Sequence, residues 1–235
     1  MVALLSRRLL QLIPTVFFVS VIIFLLQQLL PGDPALVMAG EDRDPEVIAQ
    51  IRRMYRLDQP LPIQYLYWIK GVIVGDLGES MRLKVPVSDL VLEKLPVTLQ
   101  LATMAIIVAL AIGVTAGVLS AVKRDSWIDY VVNVLSLCGI STPNFWLGIM
   151  LILLFSVQLG WLPASGYVSP FENLGQSLLT TIMPAFVLGN ALAGVLMRHT
   201  RAAMLQAMDS DYVRTAKAKG LSNTAIIVKH ALRNA

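Results

Sequence analysis

Seven lysines, two histidines and one cysteine are the side chains from which this chain could build a familiar reactive site, and their spacing rules most sites out. None of the seven lysines is followed by Ser or Thr, so no Gly-x-x-x-x-Gly-Lys-Ser/Thr loop is available to cradle a phosphate. His199 and His230 stand far apart, with no cysteine nearby and without the His-Glu-x-x-His spacing that sets two ligands on one helix face, so no metal ligand is assigned. Cys138 has no partner for an intramolecular disulfide, and inside an apolar run it reads as a buried, inert thiol. No catalytic or cofactor-binding residue is assigned, and the chain does not read as an enzyme.

Two polar constellations remain. The first is Asp209 to Ala235. Asp211 reads as the cap of a helix running through Tyr212 to Lys219, and Gly220 suits the left-handed position that ends it. Ser222 then caps a second helix, Asn223 to Leu232, with Ile226, Ile227 and Leu232 as an apolar stripe. Arg214, Thr215, Lys217, Leu221 and the small Ala216 and Ala218 make this a compact cationic element that another protein can approach closely; an amphipathic helix pair lying on anionic lipid is the alternative. The second is Ser141-Thr142-Pro143-Asn144, which interrupts an apolar segment. Pro143 removes a backbone hydrogen bond, and nearby polar groups can satisfy what it frees. Thr142, Pro143 and Asn144, with Asn190 from a later segment, read either as part of a translocation path or as a packed kink bonded to a neighbouring helix.

The elements that must position these residues follow from composition. The chain is 56% hydrophobic and 14% charged, with a mean hydropathy of +0.70, where a soluble domain carries about 25% charged residues. The natural solvent is a bilayer, which a helix of about 20 apolar residues crosses. Four uncharged runs qualify: 9–30, 95–122, 131–159 and 178–197. The sequence Leu29-Leu30-Pro31-Gly32-Asp33-Pro34 offers no signal-peptide cleavage site, so the first run is expected to stay as a helix. Every short basic segment falls on one side: Arg7 and Arg8 in the tail 1–8, Lys123 and Arg124 in the loop 123–130, and seven Lys and Arg in 198–235. That side is expected to be the cytoplasm, with 160–177 and the longer 31–94 outside. The external segment holds eight basic and ten acidic residues, and 44–57 reads as a short amphipathic helix. The net charge of +4 is therefore a label of topology rather than a nucleic-acid footprint. No charged residue falls within the four spans, which excludes the usual parts of a proton relay. Gly113 and Gly117 have the small-xxx-small spacing of helix packing.

Arg214-Thr215-Ala216-Lys217-Ala218-Lys219-Gly220-Leu221-Ser222, followed by Lys229 to Ala235, resembles the cytoplasmic loop of permeases from binding-protein-dependent ABC importers. That loop's general pattern is Glu-Ala-Ala, three residues, Gly, then Leu-Pro. Here Arg214 and Thr215 stand for the Glu and first Ala, and Arg233 for the proline, departures that resemble the peptide and nickel branch. Leu30-Pro31-Gly32-Asp33-Pro34, Leu57 to Tyr65, Gly75-Asp76-Leu77-Gly78-Glu79-Ser80 and Leu95-Pro96-Val97-Thr98-Leu99 resemble the first permease of dipeptide, oligopeptide, glutathione and nickel importers.

The resemblance implies an all-α polytopic bundle of the type I importer kind in the bacterial inner membrane, with a periplasmic insertion after the first helix. It also implies six helices where four are found, so the chain is expected to be truncated at its C-terminus, lacking the fifth and sixth. Implied partners are a second permease, two ATPase subunits that hold ATP and Mg, and a periplasmic binding protein; the chain itself holds no cofactor. Asp211, Arg214, Thr215, Ala216, Lys217, Ala218, Gly220, Leu221 and Ser222 would dock an ATPase. Pro31, Gly32, Asp33 and Pro34 would either touch the binding protein or simply make a rigid exit from the first helix. The cargo stays open between di- or oligopeptide, glutathione, nickel chelate, opine and oligosaccharide, and a scaffold or receptor that transports nothing is the reading from another class.

Overall fold

The structure, a computed structural model, describes residues 2–40, 44–80 and 82–235, with side chains from Ser6 onward. Met1 of the expected tail, and residues 41–43 and 81 of the expected external segment, lie outside the described residues. Ten α-helices and no strand occur among the described residues, with one isolated bridge between Glu79 and Pro86. The chain divides into two compact units, Met1–Lys94 and Leu95–Ala235.

In the first unit α1 runs Val2–Gln28, through the expected tail as well as the apolar run. Three short helices follow. Asp33 caps α2, Pro34–Ala39, by accepting the Ala35 N–H at 3.0 Å, and Asp44 caps α3, Pro45–Met54, by accepting that of Glu46 at 2.9 Å. In both helices proline occupies the first position, where its missing N–H costs nothing. The fourth helix, α4, Leu61–Ile73, has no counterpart among the elements expected from the sequence, where only 44–57 of the external segment reads as helical.

In the second unit α5, Val87–Val122, begins upstream of the expected Leu95, and α8, Leu174–Met208, runs well past the expected Met197. Both corrections have one cause. Uncharged run length measures the hydrocarbon layer, whereas backbone hydrogen bonding continues as long as good helix formers do, as in Ala202-Ala203-Met204-Leu205-Gln206-Ala207. The third span is not one helix. It is α6, Trp127–Ser141, then a 102° bend, then α7, Asn144–Leu151, prolonged as a π-helix over Ile152–Gln158. Among the described residues three helices are long and apolar enough to cross a membrane, and the bent pair is a fourth candidate.

α8 lies against both α5 and α6. On α5 the buried residues Ala105, Ala109, Gly113, Gly117 and Ala121 recur every fourth position, and on α8 so do Thr181, Ala185, Gly189, Ala193 and Met197. Small side chains at that period let the two backbones approach closely. A Cβ on Gly117 would stand 2.7 Å from the Thr200 Cβ, and one on Gly194 2.7 Å from the Ser136 carbonyl of α6. Asp129, Ser136 and Gly139 are the residues α6 turns inward, so Cys138 points out and is exposed, not buried as expected.

Candidate functional site: a cationic helical element and the ends that carry it

After α8 the chain turns once and forms α9, Asp211–Ala218. Ser210 occupies the cap position, so Asp211 is the first helical residue rather than the cap; its backbone carbonyl accepts the Thr215 hydroxyl at 2.9 Å. α9 stops at Gly220, whose φ of +75° is the left-handed conformation expected there. The Gly220 N–H donates to Lys217 O at 3.0 Å and the Leu221 N–H to Ala216 O at 3.3 Å, the paired bonds of a Schellman turn. Ser222 Oγ then accepts the Ala225 N–H at 3.3 Å and caps α10, Asn223–Ala225, which continues as a π-helix over Ile226–Ala231.

This element is held by its apolar side. Val213, Ala216 and Ile226 bury one another. Ala231 packs with Ala121 of α5 and with Met204 and Ala207 of α8, flanked by Ile227 and Leu232. Ala216 is thus turned inward and does not offer a small patch to a neighbour, because its position on α9 matches that of Val213. The outward face is Asp211, Tyr212, Arg214, Thr215, Lys217, Ala218, Lys219, Gly220, Leu221 and Ser222. Arg214 and Asp211 stand 3.4 Å apart with both side chains mostly in solvent, a pair of little energetic weight that leaves the face cationic.

Beneath the element lies a buried ion pair that sequence reasoning missed. Asp129, near the start of α6, is almost fully buried, and Arg201 of α8 grips it bidentately, Nε to Oδ1 and Nη2 to Oδ2, both at 2.7 Å. Ser120 of α5 donates to Oδ1, Asn133 Nδ2 donates to it at 2.9 Å, and the Asp125 N–H donates to Oδ2 at 3.1 Å. One carboxylate therefore ties α5, the α5–α6 turn, α6 and α8 together at the end from which the element hangs. A signal was present: Met197, Arg201 and Met204 share one helical face, and both methionines are buried.

At the bend, Pro143 lacks the N–H that would reach the carbonyl four residues back, that of Gly139. Asn190 of α8 supplies the missing donor, Nδ2 to Gly139 O at 3.3 Å. Thr142 closes the last turn of α6 by donating its N–H and its hydroxyl to Cys138 O at 2.9 and 2.7 Å. Asn190 is thus set against the last turn of α6, while Asn144 is exposed beyond the bend. A cavity of about 340 Å³ opens between the α7 arm and α8, bordered by Gly148, Ser165, Thr180 and Pro184 and by none of Thr142, Pro143, Asn144 and Asn190. In the first unit Gly32 has φ +129°, and the Asp33 carboxylate caps α2 while pairing with Arg52 of α3. The hydrogen bond from Arg52, then that from the Ala35 N–H, holds this carboxyl below the usual range. Among the described residues no three His, Cys, Asp or Glu side chains converge as a metal site requires.

Membrane-length helices packed through small residues, with a capped helical element on the ends of α5 and α8, define a multi-pass membrane protein. The sequence agrees: residues 113–235 match the family described as binding-protein-dependent transport system inner membrane component, and residues 1–102 match the N-terminal region of such membrane components. The chain belongs to this family of inner-membrane transport permeases. It is 44% identical over 235 residues to a peptide transport system permease protein of Brucella suis, covering all of this chain and 75% of that one. It is 43% identical over 229 residues to the glutathione transport system permease protein GsiC of Escherichia coli (strain K12), covering 97% of this chain and 72% of that one.

Proposed function

We propose that the chain forms half of the translocation pathway of an ATP-driven importer for di- or oligopeptides, or for glutathione. A binding protein would deliver the cargo, a second permease would complete the pathway, and two ATPase subunits would hold and hydrolyse ATP with Mg. The N-terminus and the α9–α10 element would then be cytoplasmic, in keeping with the one-sided Lys and Arg of the short loops. The names of the peptide and glutathione relatives support this cargo class over nickel chelate, opine or oligosaccharide.

The observation that carries the reading is the anchoring of α9 and α10. Their apolar side is packed on the ends of α5 and α8, so a displacement of the cationic face is passed to the helices and not absorbed by a loose loop. Transport is a shift between inward-open and outward-open populations, and coupling requires that the ATPase grip this face differently in the two states. Thr142, Asn144 and Asn190, at the bend, would line the path. The external turn Pro31-Gly32-Asp33-Pro34 would meet the binding protein. Vesicles holding the complete complex should take up radiolabelled dipeptide in an ATP-dependent manner, with glutathione or a longer peptide as competitor. Uptake of nickel chelate or oligosaccharide with no competition by peptides would overturn the cargo assignment and leave the permease role standing.

A further inference from the structure

α4 is registered along α1 by polar and aromatic contacts that fix its depth. The Tyr65 hydroxyl shares a 2.8 Å hydrogen bond with the Ser20 hydroxyl, and Ser20 is the only polar residue between Val16 and Leu26. The Tyr65 ring meets Phe17 edge-on at 6.4 Å and Phe24 at 5.5 Å, and Trp68 tilts against Phe24 at 6.1 Å. Leu61 and Pro62, the first residues of α4, border with Phe17 and Val21 a small wholly apolar cleft of about 260 Å³. Ser20 precedes Gln28, the last residue of α1, by eight residues, about 12 Å along the axis. If the apolar run of α1 spans a hydrocarbon layer about 30 Å thick, the first turns of α4 lie well inside that layer.

The outer side of α4 agrees. Leu66 and Ile73 of α4, and Val74 just after it, are 63%, 78% and 74% exposed, and Phe18, Ile22 and Leu26 of α1 are exposed as well. The polar groups of α4 turn the other way or stay long enough to reach water: Gln64 Nε2 donates to Leu57 O and Gln59 O at 3.3 and 2.7 Å, and Lys70 carries its charge on a flexible stem. Tyr67 holds the Arg56 guanidinium over its ring at 3.4 Å, the amphipathic arrangement of an interfacial aromatic.

We propose that α4 is a membrane-inserted helix, lying in the bilayer leaflet at the C-terminal end of α1 with Leu66, Ile73 and Val74 against acyl chains. The segment between the first two spans is then anchored in lipid rather than free in water. The inference needs α1 to cross the bilayer and needs neither an orientation nor a cargo. In the full transporter with Cys138→Ala, a fluorophore is attached at Leu66→Cys or at Ile73→Cys, with Arg52→Cys as the exposed control. After reconstitution in phosphatidylcholine vesicles, spin-labelled acyl chains should quench the two α4 sites several-fold more than the control, and aqueous iodide should quench only the control. Iodide quenching at Leu66 equal to that at Arg52 would overturn the proposal in favour of a water-exposed helix. Protection of both sites from lipid label and iodide alike would overturn it in favour of a partner protein.

Discussion

Pro143 cannot donate to the Gly139 carbonyl, and in hydrocarbon no water would do so instead, so the Asn190 amide becomes a structural requirement of the bend. Asn190→Leu should destabilise the protein by about 1–3 kcal/mol, the cost of an unpaired buried polar group. In a Pro143→Ala background the cost should shrink, because α6 can then continue through Thr142, extended at ψ 122° here, and bring the N–H of residue 143 to that carbonyl. Unfolding in mixed micelles gives the four values of the cycle, and additivity would contradict the account. The Asp129–Arg201 pair admits a parallel test. Arg201→Ala should cost about 3–5 kcal/mol by stranding a buried carboxylate, and adding Asp129→Ala should return part of that loss. Neither interaction was legible in the sequence as a pair. Asp129 sits just outside an uncharged run and looked like loop, and Arg201 was counted as one of several topological charges. Asn190 and Pro143 were both singled out, but nothing in the sequence says that the one serves the other.

Among the elements, those defined by local chemistry were readable and those defined by packing were not. The Gly220 stop and the Ser222 cap depend on a few adjacent residues, and both are found where the sequence put them. The ends of α5 and α8 depend on what lies beyond the apolar run, and α4 depends on the aromatic face that α1 offers it; uncharged run length carries neither signal. The conformation of Gly220 yields a prediction specific to α9. A Cβ there meets no atom within 4 Å, so any effect of substitution comes from the backbone and not from a clash. Gly220→Val, strained at φ +75°, should abolish uptake while ATP hydrolysis persists, whereas Gly220→Asn, which tolerates that region, should keep most of the uptake. Uptake and hydrolysis measured on the same vesicles separate the two, and equal loss of transport in both variants would contradict the role given to this turn.

At the scale of the whole molecule, the large apolar side chains are mostly uncovered. Leu12, Phe18, Ile107, Leu137, Phe145 and Leu188 are all exposed, while the buried set is dominated by alanine, glycine, serine and methionine. This inverts a soluble core, and it is what a bilayer solvent requires: apolar surface need not be hidden, and close approach of backbones holds the helices together. The small-residue stripes were in the sequence in full, yet only Gly113 and Gly117 were read, because alanine at the same period carries no signal until a partner helix faces it. In the proposed transporter such a molecule is driven by a partner, through its α9–α10 face. A photo-cross-linking amino acid at Lys217 or Leu221 of the assembled transporter tests that most directly. Irradiation should link the chain to a nucleotide-hydrolysing subunit, with a yield that changes when ATP is bound. An absence of any such adduct, together with labelling of the same positions by a membrane-impermeant reagent added outside, would contradict it.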